Sequence, residues 1–197
     1  MSATLAVFLK APRLGTVKTR LASEIGSRQA LRLYRAMVTR TLASVRRAGL
    51  DATIWFTPQD AAAEMRFWLG EGWDLRPQAS GDLGARLSAA EHAVQRGRPW
   101  IAIGVDCPRL TSELLQGAVD IIQSGSLVLG PATDGGYYLI GGTTPLPELF
   151  TDMPWGTDRV LGETRVRLQR AGAPWHELPE LRDVDTAAAA WAEGLLT

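Results

Sequence analysis

The sequence WIAIGVDCP at residues 100–108 gives the strongest strand signal in the chain. Its first part is continuous and apolar, which is typical of a strand that is buried on both faces of a parallel sheet. Asp106 follows directly, and Pro108 ends strand pairing and turns the chain. Open α/β sheets bind ligands at the carboxyl ends of their strands. We therefore expect Asp106 to face a ligand crevice, although a helix or turn cap is an alternative role for it.

Segments typical of strands and helices alternate on both sides of this strand. The predicted strands are residues 5–8, 52–56, 73–76, 126–129, 137–140 and 175–178, and the predicted helices are residues 27–48, 61–69, 84–96, a helix opened by Thr111, 159–171 and 187–195. Such alternation predicts an α/β fold, in which helices cover a mostly parallel central sheet. Neither a linker nor an internal repeat interrupts the pattern, so we expect one domain over residues 1–197.

The composition excludes several classes of protein. Lysine plus arginine equals aspartate plus glutamate, at 21 each, whereas nucleic-acid and membrane-surface binders usually carry a basic excess. The single cysteine, Cys107, rules out a disulfide within the chain and fits a reducing compartment. No run approaches the roughly 18 apolar residues of a membrane span. We therefore expect a cytoplasmic protein that binds neither nucleic acid nor a membrane.

A basic loop follows the first predicted strand. Lys10, Lys18 and Arg20 flank a turn that contains Pro12 and Gly15. Cations and free backbone N–H groups at this edge of a sheet favour an anionic ligand, most simply a polyphosphate. The glycines do not match the Walker phosphate loop or the dinucleotide-binding fingerprint. The alternative is a solvated basic turn.

The sequence GDLGARL at residues 81–87 places an arginine at the start of a helix. Arg86 there is unfavourable with the helix dipole, so an anionic ligand nearby would explain it. Asp82 belongs to the same motif, and an ordinary capped helix is the alternative interpretation.

The sequence DGGYY at residues 134–138 predicts a turn placed against a ligand. Asp-Gly is a strong hairpin signal, and paired glycines let the backbone approach a ligand closely. Asp134 could bind a metal ion, hydroxyl groups or a cation, and Trp155 could face an acceptor.

Two acidic residues precede the last helix, in the sequence DVDT at residues 183–186. Asp185 or Thr186 could be merely a helix cap. Together with Asp106, either Asp183 or Asp185 could supply a second carboxylate to one metal ion. Magnesium usually takes one or two carboxylates, with phosphate oxygens and water. Cys107 is expected to be a small buried side chain rather than a nucleophile.

These blocks, in this order, resemble a bacterial family formerly of unknown function within the nucleotide-diphospho-sugar transferase superfamily, some of whose members are labelled arsenosugar-biosynthesis glycosyltransferases. The resemblance implies a glycosyltransferase-A fold, a single Rossmann-like α/β domain with helices on both faces of the sheet. It implies a metal site at Asp106 and Asp185. Together, resemblance and motifs predict nucleotide binding at Lys10, Pro12, Gly15, Lys18, Arg20, Asp82 and Arg86, and acceptor binding at Asp134, Gly135, Gly136 and Tyr137.

The predicted function is transfer from a nucleotide-activated donor that depends on Mg²⁺ or Mn²⁺, with Lys18, Arg20 and Asp106 as catalytic residues. Glycosyl transfer from a nucleotide sugar to a small-molecule acceptor is placed first. The alternatives are nucleotidyl transfer from a nucleoside triphosphate and a non-catalytic nucleotide-binding regulator. Two departures from the superfamily bear on this choice. Pro108 stands where sugar transferases have the second aspartate of an Asp-x-Asp pair, and the Gly-Gly opening loop of molybdopterin-type nucleotidyltransferases is missing.

Overall fold

The computed structural model describes residues 3–94, 98–143 and 147–196. The strands in this part of the chain are β1 (Thr4–Lys10), β2 (Asp51–Thr57), β3 (Asp74–Pro77), β4 (Trp100–Ile103), β5 (Leu127–Pro131), β6 (Tyr137–Gly142) and β7 (Trp175–Glu177). The α-helices are α1 (Thr19–Ile25), α2 (Ser27–Ala48), α3 (Ala62–Leu69), α4 (Leu83–His92), α5 (Ser112–Gln123), α6 (Val160–Arg170) and α7 (Ala187–Ala192). None of the described helices is long and apolar enough to cross a membrane.

The strands form one sheet in the order β3-β2-β1-β4-β6-β5-β7. Strand β1 pairs in parallel with β2 and β4, and the pairs β2–β3 and β5–β7 are also parallel. Among the described strands, β6 alone runs antiparallel, because a tight turn joins it directly to β5 before it pairs with β4. The predicted α/β fold with a mostly parallel sheet is confirmed.

Helices cover both faces of the sheet, as the alternation of side chains along the strands requires. In β1, Leu5, Val7 and Leu9 point into a core that α2, α3 and α5 complete. Ala6 points to the other face, where α4 and α6 pack. The predicted covering of both faces is therefore confirmed.

A third cluster brings the two ends of the chain together. Leu21 of α1 and Met37 of α2 pack with Val184 and Ala190, beside and within α7. Glu24 adds a polar contact, since its Oε2 accepts a hydrogen bond from the Ala187 backbone N–H at 2.9 Å. The segment before α7 is thereby held next to the start of α1.

One helix was missed, and most of the predicted boundaries differ from the structure by one to three residues. Helix α1 was not predicted, because the loop signals of Pro12 and Gly15 masked it. The strand predicted through Val105 ends at Ile103, where the chain leaves the sheet. The helix predicted over residues 84–96 spans Leu83–His92, and its predicted end at Arg96 lies outside the described residues.

Candidate active site

A cavity of about 800 Å³ opens at the carboxyl ends of β1 and β4. It collects most of the predicted site residues, although they come from motifs spread along the chain. The predicted residues that line it are Lys10, Lys18, Arg20, Arg86, Asp106, Asp134, Gly136, Tyr137 and Asp185. Pro12, Gly15, Asp82 and Gly135 are not among the lining residues that the structure describes.

Lys18 joins the two carboxylates for which the sequence predicts a metal. Its Nζ lies 2.7 Å from Asp106 Oδ1 and 2.6 Å from Asp185 Oδ1. The Lys18 side chain is only 5% exposed, while the two aspartate side chains are about half exposed, at 51% and 41%. The structure therefore places a nearly buried ammonium between two carboxylates that face the cavity.

Backbone contacts fix which acidic residue before α7 meets Asp106. The Val184 N–H donates to the carbonyl of Asp106 at 2.9 Å, which ties this segment to the end of β4. Asp185 then reaches Lys18. Asp183 instead accepts a hydrogen bond from the Thr133 hydroxyl at 3.2 Å. Burial, followed by the charge of Asp134, raises the pKa of Asp183 above its usual value.

The backbone of Lys18 adopts the left-handed conformation, with φ 49° and ψ 50°, immediately before α1. A residue with a Cβ rarely adopts this conformation, and it persists where the surrounding contacts hold it. Burial lowers the pKa of Lys18, but the charges of Asp106 and Asp185 more than offset it, so the net shift is upward. The ammonium therefore stays charged at neutral pH.

The basic loop is anchored at several points. The Lys10 N–H donates to the Tyr34 hydroxyl at 2.8 Å, and that hydroxyl donates to the Lys10 carbonyl at 2.7 Å. Arg13 pairs with Asp60 at 3.3 Å and with Glu64 at 2.8 Å. The side chains of Lys10 and Arg20 remain exposed in the cavity lining. An anchored loop thus presents two exposed cations, which suits an anionic ligand.

Gln78 is a site residue that the sequence did not reveal. Its buried amide Nε2 donates to the carbonyls of Leu9 at 3.2 Å and Trp55 at 2.9 Å, and its Oε1 accepts from Arg86 Nη1 at 3.0 Å. Arg86 Nε also donates to the Gly81 carbonyl, at 3.2 Å. Gln78 therefore holds Arg86 at the cavity wall. A glutamine directly after a short strand carries no motif, so no sequence signal identified it.

Asp82 caps helix α4. Its Oδ1 accepts a hydrogen bond from the Ala85 N–H at 2.9 Å, which satisfies one of the unpaired donors of the first turn. The capping role that the sequence left open for this residue is the one that the structure shows.

Two glycines of the predicted motifs support a neighbouring segment. Gly135 has φ +83°, and a Cβ there would overlap the backbone of Asp158. A Cβ at Gly84 would overlap the carbonyl oxygen of Phe150 and lie 2.9 Å from Trp155 Nε1. Both glycines therefore let the segment of residues 150–158 pack directly against α4 and the β5–β6 turn.

Asp134 shapes the turn between β5 and β6. Its Oδ1 accepts from the Gly136 N–H at 2.8 Å, and the Ala132 N–H donates to the Gly136 carbonyl at 3.0 Å. Asp134 and Gly136 also line the cavity. The motif is thus a turn that borders the cavity, as the Asp-Gly signal predicts.

Tyr137 and Trp155 form an aromatic part of the cavity lining. Their ring centroids are 6.3 Å apart and the rings meet edge to face, at 79°. Burial raises the pKa of the Tyr137 hydroxyl. Neither this hydroxyl nor Trp155 Nε1 has a hydrogen-bond partner among the described residues. Buried polar atoms are normally paired, so these two are candidates for contacts with a bound ligand.

The model of a bacterial family, described as "uncharacterized protein conserved in bacteria" (DUF2064), matches residues 41–157. The chain belongs to this family. No curated protein matches the sequence. The family match bears out the predicted resemblance, and so does one solved structure. It is that of a Desulfovibrio desulfuricans G20 protein, provisionally named a nucleotide-diphospho-sugar transferase. That protein is 35% identical, with a TM-score of 0.89, over 94% of this chain and 84% of its own.

Two more distant structures share the fold. Rv0371c of Mycobacterium tuberculosis H37Rv, solved as a manganese complex, is 18% identical over 97% of both chains, with a TM-score of 0.60. CMP:2-keto-3-deoxy-manno-octonic acid synthetase, solved with CTP, is 14% identical over the whole of both chains, with a TM-score of 0.56. At these identities the likeness shows the fold alone.

The donor set at Asp106 and Asp185 fits a divalent cation. Two carboxylate oxygens from different loops converge on one positive charge, and carboxylate oxygens are the ligands that Mg²⁺ prefers. Within the described residues, no group of three histidine, cysteine, aspartate or glutamate side chains is arranged to hold a metal ion. Two protein ligands leave positions for phosphate oxygens and water, which is the usual arrangement for magnesium.

Proposed function

We propose that this protein is a metal-dependent transferase that moves a glycosyl group from a nucleotide sugar to a small-molecule acceptor. The observation that carries the proposal is the convergence of Asp106, Asp185 and Lys18 in the wall of a cavity that exposed cations also line. Its volume of about 800 Å³ is in the range that small-molecule and cofactor sites occupy. The likeness to a provisionally named nucleotide-diphospho-sugar transferase at 35% identity supports a nucleotide-activated donor.

The cations of the lining would bind the donor phosphates. Lys10 and Arg20 are exposed, and Gln78 orients the Arg86 guanidinium. Fixed positive charges of this kind stabilise the negative charge that develops on a leaving diphosphate. Mg²⁺ or Mn²⁺ held by Asp106 and Asp185 would neutralise part of the same charge.

The acceptor would lie beside Asp134, Gly136, Tyr137 and Trp155. In the reaction, an acceptor hydroxyl oxygen bonds to the anomeric carbon of the sugar. The bond from that carbon to the phosphate oxygen breaks, and a nucleoside diphosphate leaves with the electron pair. The hydroxyl proton passes to a base or to water. The Tyr137 hydroxyl and Trp155 N–H, which are buried and without a partner among the described residues, would bond a polar group of the acceptor.

Nucleotidyl transfer is a second candidate, because three cations, Lys10, Arg20 and Arg86, line the cavity besides Lys18. A triphosphate carries more negative charge than the diphosphate of a nucleotide sugar, so this number of cations favours it. In that reaction an acceptor phosphate oxygen attacks the α-phosphorus and pyrophosphate leaves.

A thermal-shift panel of nucleoside triphosphates and nucleotide sugars, with and without Mg²⁺, tests the proposal. A ligand of the folded state raises the melting temperature. We expect a nucleotide sugar to give the largest shift and Mg²⁺ to increase it. The absence of a shift with every nucleotide would overturn the proposal.

Phosphorus NMR of the best donor with candidate acceptors then identifies the reaction. A nucleoside diphosphate indicates glycosyl transfer, pyrophosphate indicates nucleotidyl transfer, and binding without turnover indicates a regulator.

A further inference from the structure

The ammonium of Lys18 contacts one oxygen atom of each carboxylate that would hold the divalent cation of the proposed function. Asp106 Oδ1 and Asp185 Oδ1 both lie within 2.7 Å of Lys18 Nζ. The contact is internal, because the Lys18 side chain is 5% exposed. The chain thus supplies its own monovalent cation to the carboxylate pair.

A metal ion and this ammonium cannot share the two oxygens in the same way. Magnesium needs its ligand oxygens at about 2.0–2.1 Å, and a second cation a few ångströms away repels it strongly. Hydrogen bonds from Lys18 also occupy lone pairs of Asp106 Oδ1 and Asp185 Oδ1 that would otherwise be free to coordinate the metal. Either Lys18 withdraws when metal enters, or the metal binds weakly.

A polyphosphate gives Lys18 another anionic partner. Lys18 lines the same cavity as Lys10 and Arg20, the exposed cations to which the phosphates are assigned. A lysine side chain has a flexible four-carbon stem, so its ammonium can change partners without a movement of the backbone. A phosphate oxygen in this cavity can therefore take over the charge that the two carboxylates balance in the free protein.

We propose that Lys18 is a tethered competitor of the divalent cation. In the free protein its ammonium holds Asp106 and Asp185 and keeps the metal affinity low. A bound polyphosphate draws the ammonium away and opens the carboxylate pair. Metal and nucleotide then bind cooperatively, and each increases the affinity of the other by the same factor. This inference rests on the metal site of the proposed function.

Titration of the protein with Mn²⁺ alone, followed by the EPR signal of the free ion, tests the competition. We expect Lys18→Met to bind Mn²⁺ about tenfold more tightly than the wild type, or better, because a charge in direct contact with the ligand oxygens is removed. Lys18→Arg keeps the positive charge, so this variant should bind Mn²⁺ as weakly as the wild type does. Asp106→Asn in the Lys18→Met background should abolish the gain, which locates the ion.

Arg13→Met is the matched control. Arg13 belongs to the same loop and also pairs with two carboxylates, Asp60 and Glu64. Its removal should leave the Mn²⁺ affinity unchanged. An equal gain in Mn²⁺ affinity in this control would mean that any freed acidic pair binds Mn²⁺, and it would overturn the proposal. A Lys18→Met protein that binds Mn²⁺ no more tightly than the wild type would also overturn it.

Thermal melting of Lys18→Met gives a second readout. Without Lys18 the two carboxylates repel each other, so the melting temperature should fall and Mn²⁺ should restore it. A variant that stays destabilised or unfolded in Mn²⁺ would contradict the proposal. Neither measurement contains a nucleotide. A protein that binds no nucleotide but shows the Mn²⁺ gain would refute the proposed transferase and leave the competition intact.

Discussion

At Gly135 and Gly84 the missing side chain matters for packing within the protein. The sequence predicted that the glycines of the DGGYY motif let the backbone approach a ligand closely, or adopt a positive φ. Gly135 has the positive φ, and its close neighbour in the structure is the protein itself. The structure shows that the neighbour of Gly135 is the Asp158 backbone and that of Gly84 is the Phe150 carbonyl. Such contacts join residues that lie far apart in the sequence, so no local pattern reports them.

Replacement of Gly135 by alanine tests this packing role. The new methyl group overlaps the Asp158 backbone, and the backbone also has a left-handed φ. We expect Gly135→Ala to lower the free energy of unfolding by about 2–4 kcal/mol. Gly156 is the matched control, because it has φ +77° but no atom within 4 Å of an added Cβ. Gly156→Ala should cost only about 1 kcal/mol, the price of the backbone conformation. Equal losses in urea titrations of the two variants would rule out the packing explanation.

Glu91 of α4 predicts how the stability of the protein depends on pH. Its side chain is buried, its Oε2 has no hydrogen-bond partner among the described residues, and burial raises its pKa to about 7. Because the folded protein holds this proton more tightly than the unfolded chain, stability should fall as pH rises from about 4.5 to about 7, and then level off. Glu91→Gln removes the ionisation, so the variant should be more stable at pH 8 by about 1–3 kcal/mol. Parallel stability curves for wild type and variant across this pH range would contradict the assignment.

At the level of elements, the apolar periodicity predicted every described strand and located α2 at Ser27–Ala48, where the structure has it. Helix α1 was hidden because it is short and follows a loop with Pro12 and Gly15. The reversal of β6 depends on the tight Asp134–Gly136 turn, a feature that the Asp-Gly signal did predict. Sheet order and the position of β6 between β4 and β5 depend on long-range pairing, so they needed the structure.

Helix α6 binds the segment of residues 147–158, part of which packs on Gly84 and Gly135. Arg167 donates to the carbonyls of Glu148 at 2.6 Å, Asp152 at 3.0 Å and Thr151. Lysine cannot reproduce this planar fork of donors. We expect Arg167→Lys to cost about 1–3 kcal/mol through unpaired carbonyls.

Hydrogen exchange locates the effect of this change. Amides of residues 147–158 should exchange faster in Arg167→Lys, because the segment loses its anchor. Arg165→Lys, on the same helix, alters only a half-exposed pair with Glu177 and should cost under about 1 kcal/mol. Unchanged exchange of the segment in Arg167→Lys would show that α6 does not hold it.

At the level of the whole molecule, the sheet gathers motifs from residues 10 to 185 at one edge. The residues alone left Asp183 and Asp185 open as the carboxylate that joins Asp106, and the family resemblance favoured Asp185. The structure brings Asp106 and Asp185 to the same ammonium group. The sequence placed Lys18 among the phosphate-binding cations and did not foresee the contacts of Lys18 with both carboxylates, which the structure shows. A side-chain partner at a separation of 167 residues cannot be read from spacing.

The central claim is a nucleotide–metal site at this edge of the sheet. Calorimetry tests it most directly, by measuring the affinity of the best nucleotide from the thermal-shift panel in Mg²⁺ and in EDTA. We expect the wild type to bind at least about tenfold more tightly with Mg²⁺, and Asp106→Asn to lose this difference. Asp82→Asn is the control, because asparagine caps a helix as well as aspartate does and Asp82 lies outside the cavity lining. This variant should keep the full effect of Mg²⁺ on nucleotide affinity. An Asp106→Asn protein that retains the wild-type difference between Mg²⁺ and EDTA would contradict a nucleotide–metal site at this edge of the sheet.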